Sequence, residues 1–336
     1  MRAPAFWWRP EPTLPARLLG PAARLYGFAA SRRLERPGWR APVPVICIGN
    51  FTAGGAGKTP TALAVARVLE ALGERPAFLS RGYGGRLPGP LRVTPEHRAA
   101  EVGDEPLLLA RAAPTFVSRD RPAGARLAAE AGATVIVMDD GLQNPSLVKD
   151  LAVAVVDGAT GFGNRMPLPA GPLRAPLDRQ WPLAHALLVI GGGALGVAAA
   201  REAESLGKPV LRGRLEPDAG AAARLQGRRV LAFAGIGRPE KFFDALRACG
   251  AAVAAERPFP DHHPFTAAEE ADLLAEARAG DLLPVTTEKD AARLPPGALK
   301  DAACVLPVAL SLDHEAGWRA LIEGALARAR PVSSGA

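Results

Sequence analysis

The run Thr52-Ala53-Gly54-Gly55-Ala56-Gly57-Lys58-Thr59 holds the residues of this sequence best placed to do chemistry. Glycines let a backbone close tightly, so that successive N–H groups can converge on a phosphate. Lys58 then reaches the outer phosphates of a nucleoside triphosphate, and the Thr59 hydroxyl is a ligand for magnesium. The usual pattern has glycine where Thr52 stands. The setting makes up for it, because an apolar run precedes the loop and a helical pattern follows. That setting directs a phosphate at a helix N-terminus. The chemistry implied is phosphoryl transfer with ATP and Mg2+.

Further candidates stand after other apolar runs. Asp139 and Asp140 follow residues 134–138, where one carboxylate could hold magnesium directly or through water. Their alternative is a turn or helix cap. Ser80-Arg81-Gly82-Tyr83-Gly84-Gly85 reads as an anion-binding loop or as a plain glycine turn. Gly103-Asp104-Glu105-Pro106 opens a helix, which two acids cap well; the alternative is a general base aimed at an acceptor hydroxyl. Phe259-Pro260-Asp261-His262-His263-Pro264-Phe265 gathers two of five histidines. Adjacent side chains diverge and no cysteine lies nearby, so proton transfer suits them better than zinc. Thr286-Thr287-Glu288-Lys289-Asp290 is a ligand-loop candidate or a solvated turn before a helix.

The elements that must position these residues follow from hydrophobic periodicity. Residues 43–48 form a strand buried on both faces, and 60–72 a helix with Pro60 in its first turn and Gly73 at its end. Strands are predicted at 77–80, 115–118, 135–138, 151–156 and 186–190, with helices at 121–131 and 194–206. This alternation predicts an α/β fold: a P-loop NTPase-like doubly wound parallel sheet. A second, smaller α/β domain has strands at 229–234 and 283–286 and helices at 239–249 and 267–279. Runs 210–216 and 304–312 bracket it and are expected to pair as a two-stranded linker on which the domains rock. The resulting division is an N-terminal amphipathic membrane-associating segment 1–41, a P-loop kinase domain 42–209, the linker, a smaller domain 217–303, and a C-terminal helix and tail 313–336.

Composition bounds the rest. The chain has 336 residues, 48% of them hydrophobic, which excludes a disordered chain and suggests two α/β units. Its net charge of +7 suits a phosphate ligand or an anionic membrane, and equally a solvated basic surface. Aromatics, at 5%, are too few and scattered for a nucleic-acid stacking platform, so no nucleic acid is expected. Cys47, Cys249 and Cys304 have no CxxC spacing, arguing against zinc or a disulfide framework. The run 14–34 contains Pro15, Gly20, Pro21 and four arginines and is not a transmembrane span. Trp7, Trp8 and those arginines suit a membrane interface, or a helix packed on the domain.

Taken together, these motifs resemble the tetraacyldisaccharide 4′-kinases. The resemblance rests on Gly49-Asn50-Phe51-Thr52 with the phosphate loop and Pro60, then Ser80 to Gly84, Gly103 to Pro106, Asp139-Asp140-Gly141-Leu142-Gln143 and Pro169-Ala170-Gly171-Pro172-Leu173-Arg174. It continues through Gly235-Ile236-Gly237-Arg238-Pro239, Phe259 to His262 and Thr286 to Asp290, in the family's order. It implies transfer of phosphate from ATP to the 4′-hydroxyl of a tetraacylated glucosamine disaccharide 1-phosphate, giving lipid IVA. It implies a peripheral enzyme on the cytoplasmic face of the inner membrane, with no obligate protein partner. Asp104 would activate the hydroxyl with support from His262, and Lys58 would complete the catalytic set. Thr59, Asp139 and Asp140 would hold the metal. Asn50, Arg81, Tyr83, Glu105, Arg121 and Gln143 are expected at the acceptor. Asn144 and Ala175 depart from the family pattern, which often has His and usually Glu there. A rival is a membrane-surface switch ATPase of the partitioning type, but its signature lysine would stand where Ala53 is.

Overall fold

The computed structural model describes residues 3–330; the first two residues and the polar tail at 331–336 lie outside them. Among the described residues, thirteen strands form two sheets. They are β1 Val45–Gly49, β2 Pro76–Ser80, β3 Leu91–Arg92, β4 Thr115–Val117, β5 Val135–Asp139, β6 Leu151–Asp157, β7 Ala186–Ile190, β8 Val210–Pro217, β9 Arg229–Ala234, β10 Ala252–Pro258, β11 Leu283–Thr286, β12 Cys304–Val305 and β13 Val308–Leu312. The larger sheet has nine strands in the order β13-β8-β7-β6-β1-β5-β2-β4-β3. The smaller has four, β10-β9-β11-β12, all parallel.

Strand β1 shows why the larger sheet is central. All five of its residues are buried. Val45 and Cys47 join the core on one face, while Ile46 and Ile48 join the core on the other. A period of two with apolar residues at every position needs cover on both faces, which helices supply. One cover is the helix Lys58–Ala71, burying Ala62, Val65 and Leu69. Each fully buried aliphatic side chain contributes roughly 1.5–3 kcal/mol. Chain order places β5 on one side of β1 and β6 on the other. The chain thus reverses its winding direction at β1, opening a crevice at the carboxyl ends of the strands. The glycine-rich loop starts there.

The linker expectation needs one correction. Strand β8 pairs antiparallel with β13 over 213–217 and 308–312, and parallel with β7, so both strands extend the larger sheet. Cys304–Val305 instead pairs with β11 in the smaller sheet. Pro307 separates the two pieces; lacking an N–H, it cannot continue a ladder. Strand β10, absent from the sequence reading, is a partly exposed edge strand with a bulge between Val253 and Ala255. Near the N-terminus, helices Leu14–Leu18 and Gly20–Leu34 leave Leu14, Leu18, Leu25 and Phe28 largely exposed. No described helix is long and apolar enough to cross a membrane.

Candidate active site

The phosphate loop is held open by its own backbone and by one arginine. Gly54 and Gly57 adopt φ of 108° and 87°, values that strain any residue with a side chain. Asn50 Nδ2 donates to the Gly54 carbonyl at 3.2 Å. The Ala53 N–H donates to the Pro172 carbonyl at 2.7 Å, and Arg174 Nε to the Thr52 carbonyl at 3.1 Å. Thr52 therefore sits in a β-bridge with Leu173 where a glycine is usual. A Cβ added at Gly55 would meet nothing within 4 Å, so that side of the loop is free to face a ligand.

Acids from β5 meet the start of the following helix. Thr59 Oγ1 lies 3.5 Å from Asp139 Oδ2, and Lys58 Nζ lies 3.6 Å from Asp140 Oδ2. Arg174 grips Asp140 bidentately at 2.6 and 2.9 Å. Burial pushes Asp140 up, but Lys58 and Arg174 outweigh it and hold the carboxyl far below its usual range. Asp139 goes the other way: burial, with Glu105 and Asp140 nearby, pushes it up to about 7 against Lys58 and Lys289. Its Oδ1 is buried with no partner. An orphaned carboxylate oxygen beside a threonine hydroxyl fits a hard cation, so Thr59 and Asp139 suit magnesium.

Across the crevice the smaller unit supplies cations to two acids. Helix Asp104–Leu109 begins after Gly103, whose φ is 91°. Asp104 Oδ1 accepts from the Glu105 N–H at 2.9 Å, leaving Oδ2 to His262 Nδ1 at 3.0 Å and Arg293 Nε at 3.5 Å. Burial pushes Asp104 up, yet the His262 hydrogen bond and the charges of His262, Lys289 and Arg293 hold it below its usual value. The same bond raises His262, against the effect of burial. Glu105 Oε1 receives Lys289 Nζ at 2.5 Å. His263 turns away to Glu269 at 2.9 Å.

The residues expected at the acceptor divide into two groups. Tyr83 is exposed, with its ring 5.2 Å from that of His262. Its loop packs on the Gly103 turn, where a Cβ would come within 2.5 Å of the Tyr83 carbonyl. Arg81 is exposed, while Arg121 is buried with Nε unpartnered. Burial, and then Arg81, push Arg121 down to about 10. Gln143 spends both amide protons inside the protein, on the Asn50 carbonyl at 2.6 Å and Gln180 Oε1 at 2.7 Å, and so braces the phosphate loop. Asn144 closes a turn onto Ser146, and Ala175 is buried with its carbonyl bonded to Gln180 Nε2 at 2.6 Å. No carboxylate occupies position 175.

Sequence reasoning assigned no site role to Arg174, Arg293 or Asp157, and offered Lys289 only as part of the ligand-loop candidate at 286–290. Asp157 ends β6 at the same sheet edge, a position that could have marked it.

A phosphate loop at the switch point of a doubly wound sheet, faced by a carboxylate–imidazole pair, defines a P-loop phosphotransferase. The family model described as tetraacyldisaccharide-1-P 4′-kinase matches residues 15–327. The chain belongs to the tetraacyldisaccharide 4′-kinase family. Relatives bearing that name include one from Methylobacterium sp. (strain 4-46), 63% identical over 98% of this chain and 97% of its own. Another, from Nitrobacter winogradskyi, is 53% identical over 98% of this chain and 99% of its own. Among solved structures, LpxK from Aquifex aeolicus in complex with ATP is similar with a TM-score of 0.72 and 28% identity, covering 93% of this chain and 99% of that one.

Proposed function

We propose that this chain carries out the reaction its family is named for: transfer of the γ-phosphoryl group of ATP to the 4′-hydroxyl of a tetraacyldisaccharide 1-phosphate, forming lipid IVA in lipid A biosynthesis. The observation that carries the mechanism is the Asp104–His262 pair, joined at 3.0 Å between the larger and smaller units, beside Glu105, which feels the charge of Lys58 in the phosphate loop. In-line transfer needs a hydroxyl oriented at phosphorus and charge neutralised around it. Asp104 Oδ2 is the acceptor for the hydroxyl proton, and His262 orients that oxygen. The depressed Asp104 is a weak base, which suffices where the transition state is loose and the proton leaves late.

Residues Thr52 to Thr59 wrap the triphosphate, with Lys58 moving from Asp140 to the outer phosphates. Thr59 and Asp139 would hold magnesium, with Asp140 beside them. When bound, the ion would neutralise charge on the β- and γ-oxygens. Arg81 and Arg121, with Asn50, Tyr83 and Glu105, form the acceptor side; Gln143 supports it by bracing Asn50. Two cations facing each other call for an anion, and the acceptor carries a phosphate.

In this reading the enzyme works as a peripheral protein on the cytoplasmic face of the inner membrane, docked through its N-terminal helices. Exposed Leu14, Leu18, Leu25 and Phe28 beside Arg17, Arg24 and Arg32 support this reading, because such a face gains from apolar burial and from anionic headgroups together. The test is transfer of radiolabel from ATP to a panel of sugars and lipids. Label is expected on the acylated disaccharide 1-phosphate alone; equal labelling of a non-lipid sugar would overturn the assignment.

A further inference from the structure

Arg293 is a buried cation between two buried carboxylates. It ends the helix Glu288–Arg293 of the smaller unit, and its side chain is 6% exposed. Nη2 donates to Asp290 Oδ1 at 2.6 Å and to the Gly235 carbonyl at 2.8 Å, and Nε donates to the Lys289 carbonyl at 3.2 Å. Nε also lies 3.5 Å from Asp104 Oδ2. That separation is too long for a good hydrogen bond, so the contact is one of charge and leaves a lone pair of Oδ2 open. Asp290 is fully buried, and burial pushes its carboxyl up. Asp104, against the same effect of burial, is held down by His262, Lys289 and Arg293. Two carboxyls driven apart around one guanidinium divide the work: Asp290 anchors it, and Asp104 stays charged.

The anchorage reaches the other member of the pair. The Gly235 carbonyl that takes Arg293 Nη2 also accepts the His262 N–H at 3.0 Å, and the Gly235 N–H donates to Asp290 Oδ1 at 2.8 Å. Arg293 Nη1 lies 3.5 Å from the His263 carbonyl. The turn that carries His262 therefore hangs on Arg293 and Asp290. Among the other charged groups around Asp104, Glu105 is an acid, and Lys289 is bonded to it at 2.5 Å. His262 is a cation only while protonated. A guanidinium keeps its charge throughout the pH range of a folded protein. Arg293 is thus the permanent cation set against Asp104 itself.

We propose that Arg293 is a positioning residue for phosphoryl transfer: it supplies the counter-charge that keeps Asp104 Oδ2 able to accept a proton, and it fixes the turn that aims His262 at that oxygen. The proposal rests on Asp104 being the base. The two duties are separable. Arg293→Lys keeps a point charge but cannot reach Gly235, Asp290 and Lys289 together, and Arg293→Met keeps bulk without charge or donors. A guanidinium that only braced the fold would set the melting temperature and leave the pH profile alone.

The test follows kcat against pH, Kd for ATP and melting temperature on the full-length protein, with magnesium and the acylated disaccharide 1-phosphate. Arg293→Met is expected to lower kcat about ten- to a hundredfold, a share of the pair's own effect, with ATP Kd changed less than about twofold. Without the cation the buried carboxyl takes a proton more readily, so the acid limb of the profile moves to higher pH, and moves further with His262→Gln added. Arg293→Lys is expected to keep the parental limb and still lose kcat. It carries the test if Arg293→Met fails to fold: parental kcat in Arg293→Lys overturns the anchoring. Parental kcat and limb in Arg293→Met, with Asp104→Ala impaired, overturn the role of Arg293 and leave the base standing, whatever the melting temperature. A lowered kcat with an unmoved limb in Arg293→Met overturns the counter-charge. Full activity in Asp104→Ala overturns both the proposal and the base. A loss of ATP affinity matching the loss of kcat would make Arg293 a nucleotide ligand and overturn the proposal.

Discussion

His262 Nδ1 lies 3.0 Å from Asp104 Oδ2, although 158 residues separate them in the chain. Asp104 opens a helix of the larger unit, and His262 sits in the turn after β10 with φ of 56°. A non-glycine residue at that φ is uncommon and signals a conformation imposed by its surroundings. Here the strain aims the ring at the carboxylate. The contact joins the larger unit to the smaller one, so any opening between them would separate the pair.

Asp104→Ala and His262→Ala are each expected to lower kcat by about a hundred- to ten-thousand-fold, and the double variant little more than the worse single one. ATP affinity stays near the parental value in all of them. Multiplicative losses would show independent roles, and loss of ATP binding in Asp104→Ala would make that residue a nucleotide or metal ligand. The pair also sets a pH window for stability. His262 is raised above its ordinary 6.5, so its contribution is complete below that value and lost as pH rises through the raised one. Asp104 is held below its ordinary 3.8, so its contribution is present above that value and lost as pH falls through the lowered one. Melting temperature should therefore fall on the alkaline side, and the fall should shrink in His262→Gln.

Lys58→Ala is expected to abolish phosphoryl transfer while leaving stability nearly unchanged. The lysine is 8% exposed, so the reason is not surface position. Its departure leaves Asp140 still gripped by Arg174 at two oxygens, while Asp139, already pushed up to about 7, loses a counter-charge and takes a proton rather than staying buried and charged. Near-parental turnover in the variant would refute the role of the loop.

The local parts of this site were legible in the sequence, and the assembled parts were not. Strand β7 and the helix Ala267–Ala279 match their predicted limits because uniform apolar runs and clear caps are local signals. The loop at 52–59 is equally local. Edge strand β10 has no such signal: it is half-exposed, and its bulge breaks the alternation. Ion pairs are harder still. Lys289 meets Glu105 from 184 residues away, and Asp157 meets Lys241 from 84. No period or spacing encodes these meetings; they follow from how one unit seats on the other. Resemblance supplied Asp104 and His262, but left Arg174, Lys289 and Asp157 without a role.

Binding to vesicles of anionic lipid should depend on the N-terminal helices. Deleting residues 1–36 is expected to abolish it, and Leu18→Glu with Phe28→Glu to weaken it strongly, since both side chains are exposed, at 73% and 61%. Raising salt should weaken binding of the parent by screening the arginines. Unchanged binding after the deletion, or no response to salt, would refute membrane docking by this face.

Magnesium affinity should depend on pH through Asp139. Its carboxyl is pushed up to about 7, mainly by burial, from an ordinary 3.8. The folded protein thus prefers it protonated, and the charged form costs stability above 3.8, the cost growing until about 7 and constant beyond. A cation between Asp139 and Thr59 needs the carboxylate, so binding below about pH 7 must release a proton. Apparent affinity should then fall about tenfold per pH unit below that point and level off above it. Bound nucleotide titrates in the same range, so the informative quantity is the difference between the parent and Asp139→Asn with the same nucleotide. Asp139→Asn is expected to bind magnesium more weakly at high pH and to lose one proton's worth of pH dependence. Calorimetry in two buffers of different ionisation heat reads that proton directly. Equal proton release by parent and variant would remove Asp139 from the metal site and leave its orphaned Oδ1 to another donor.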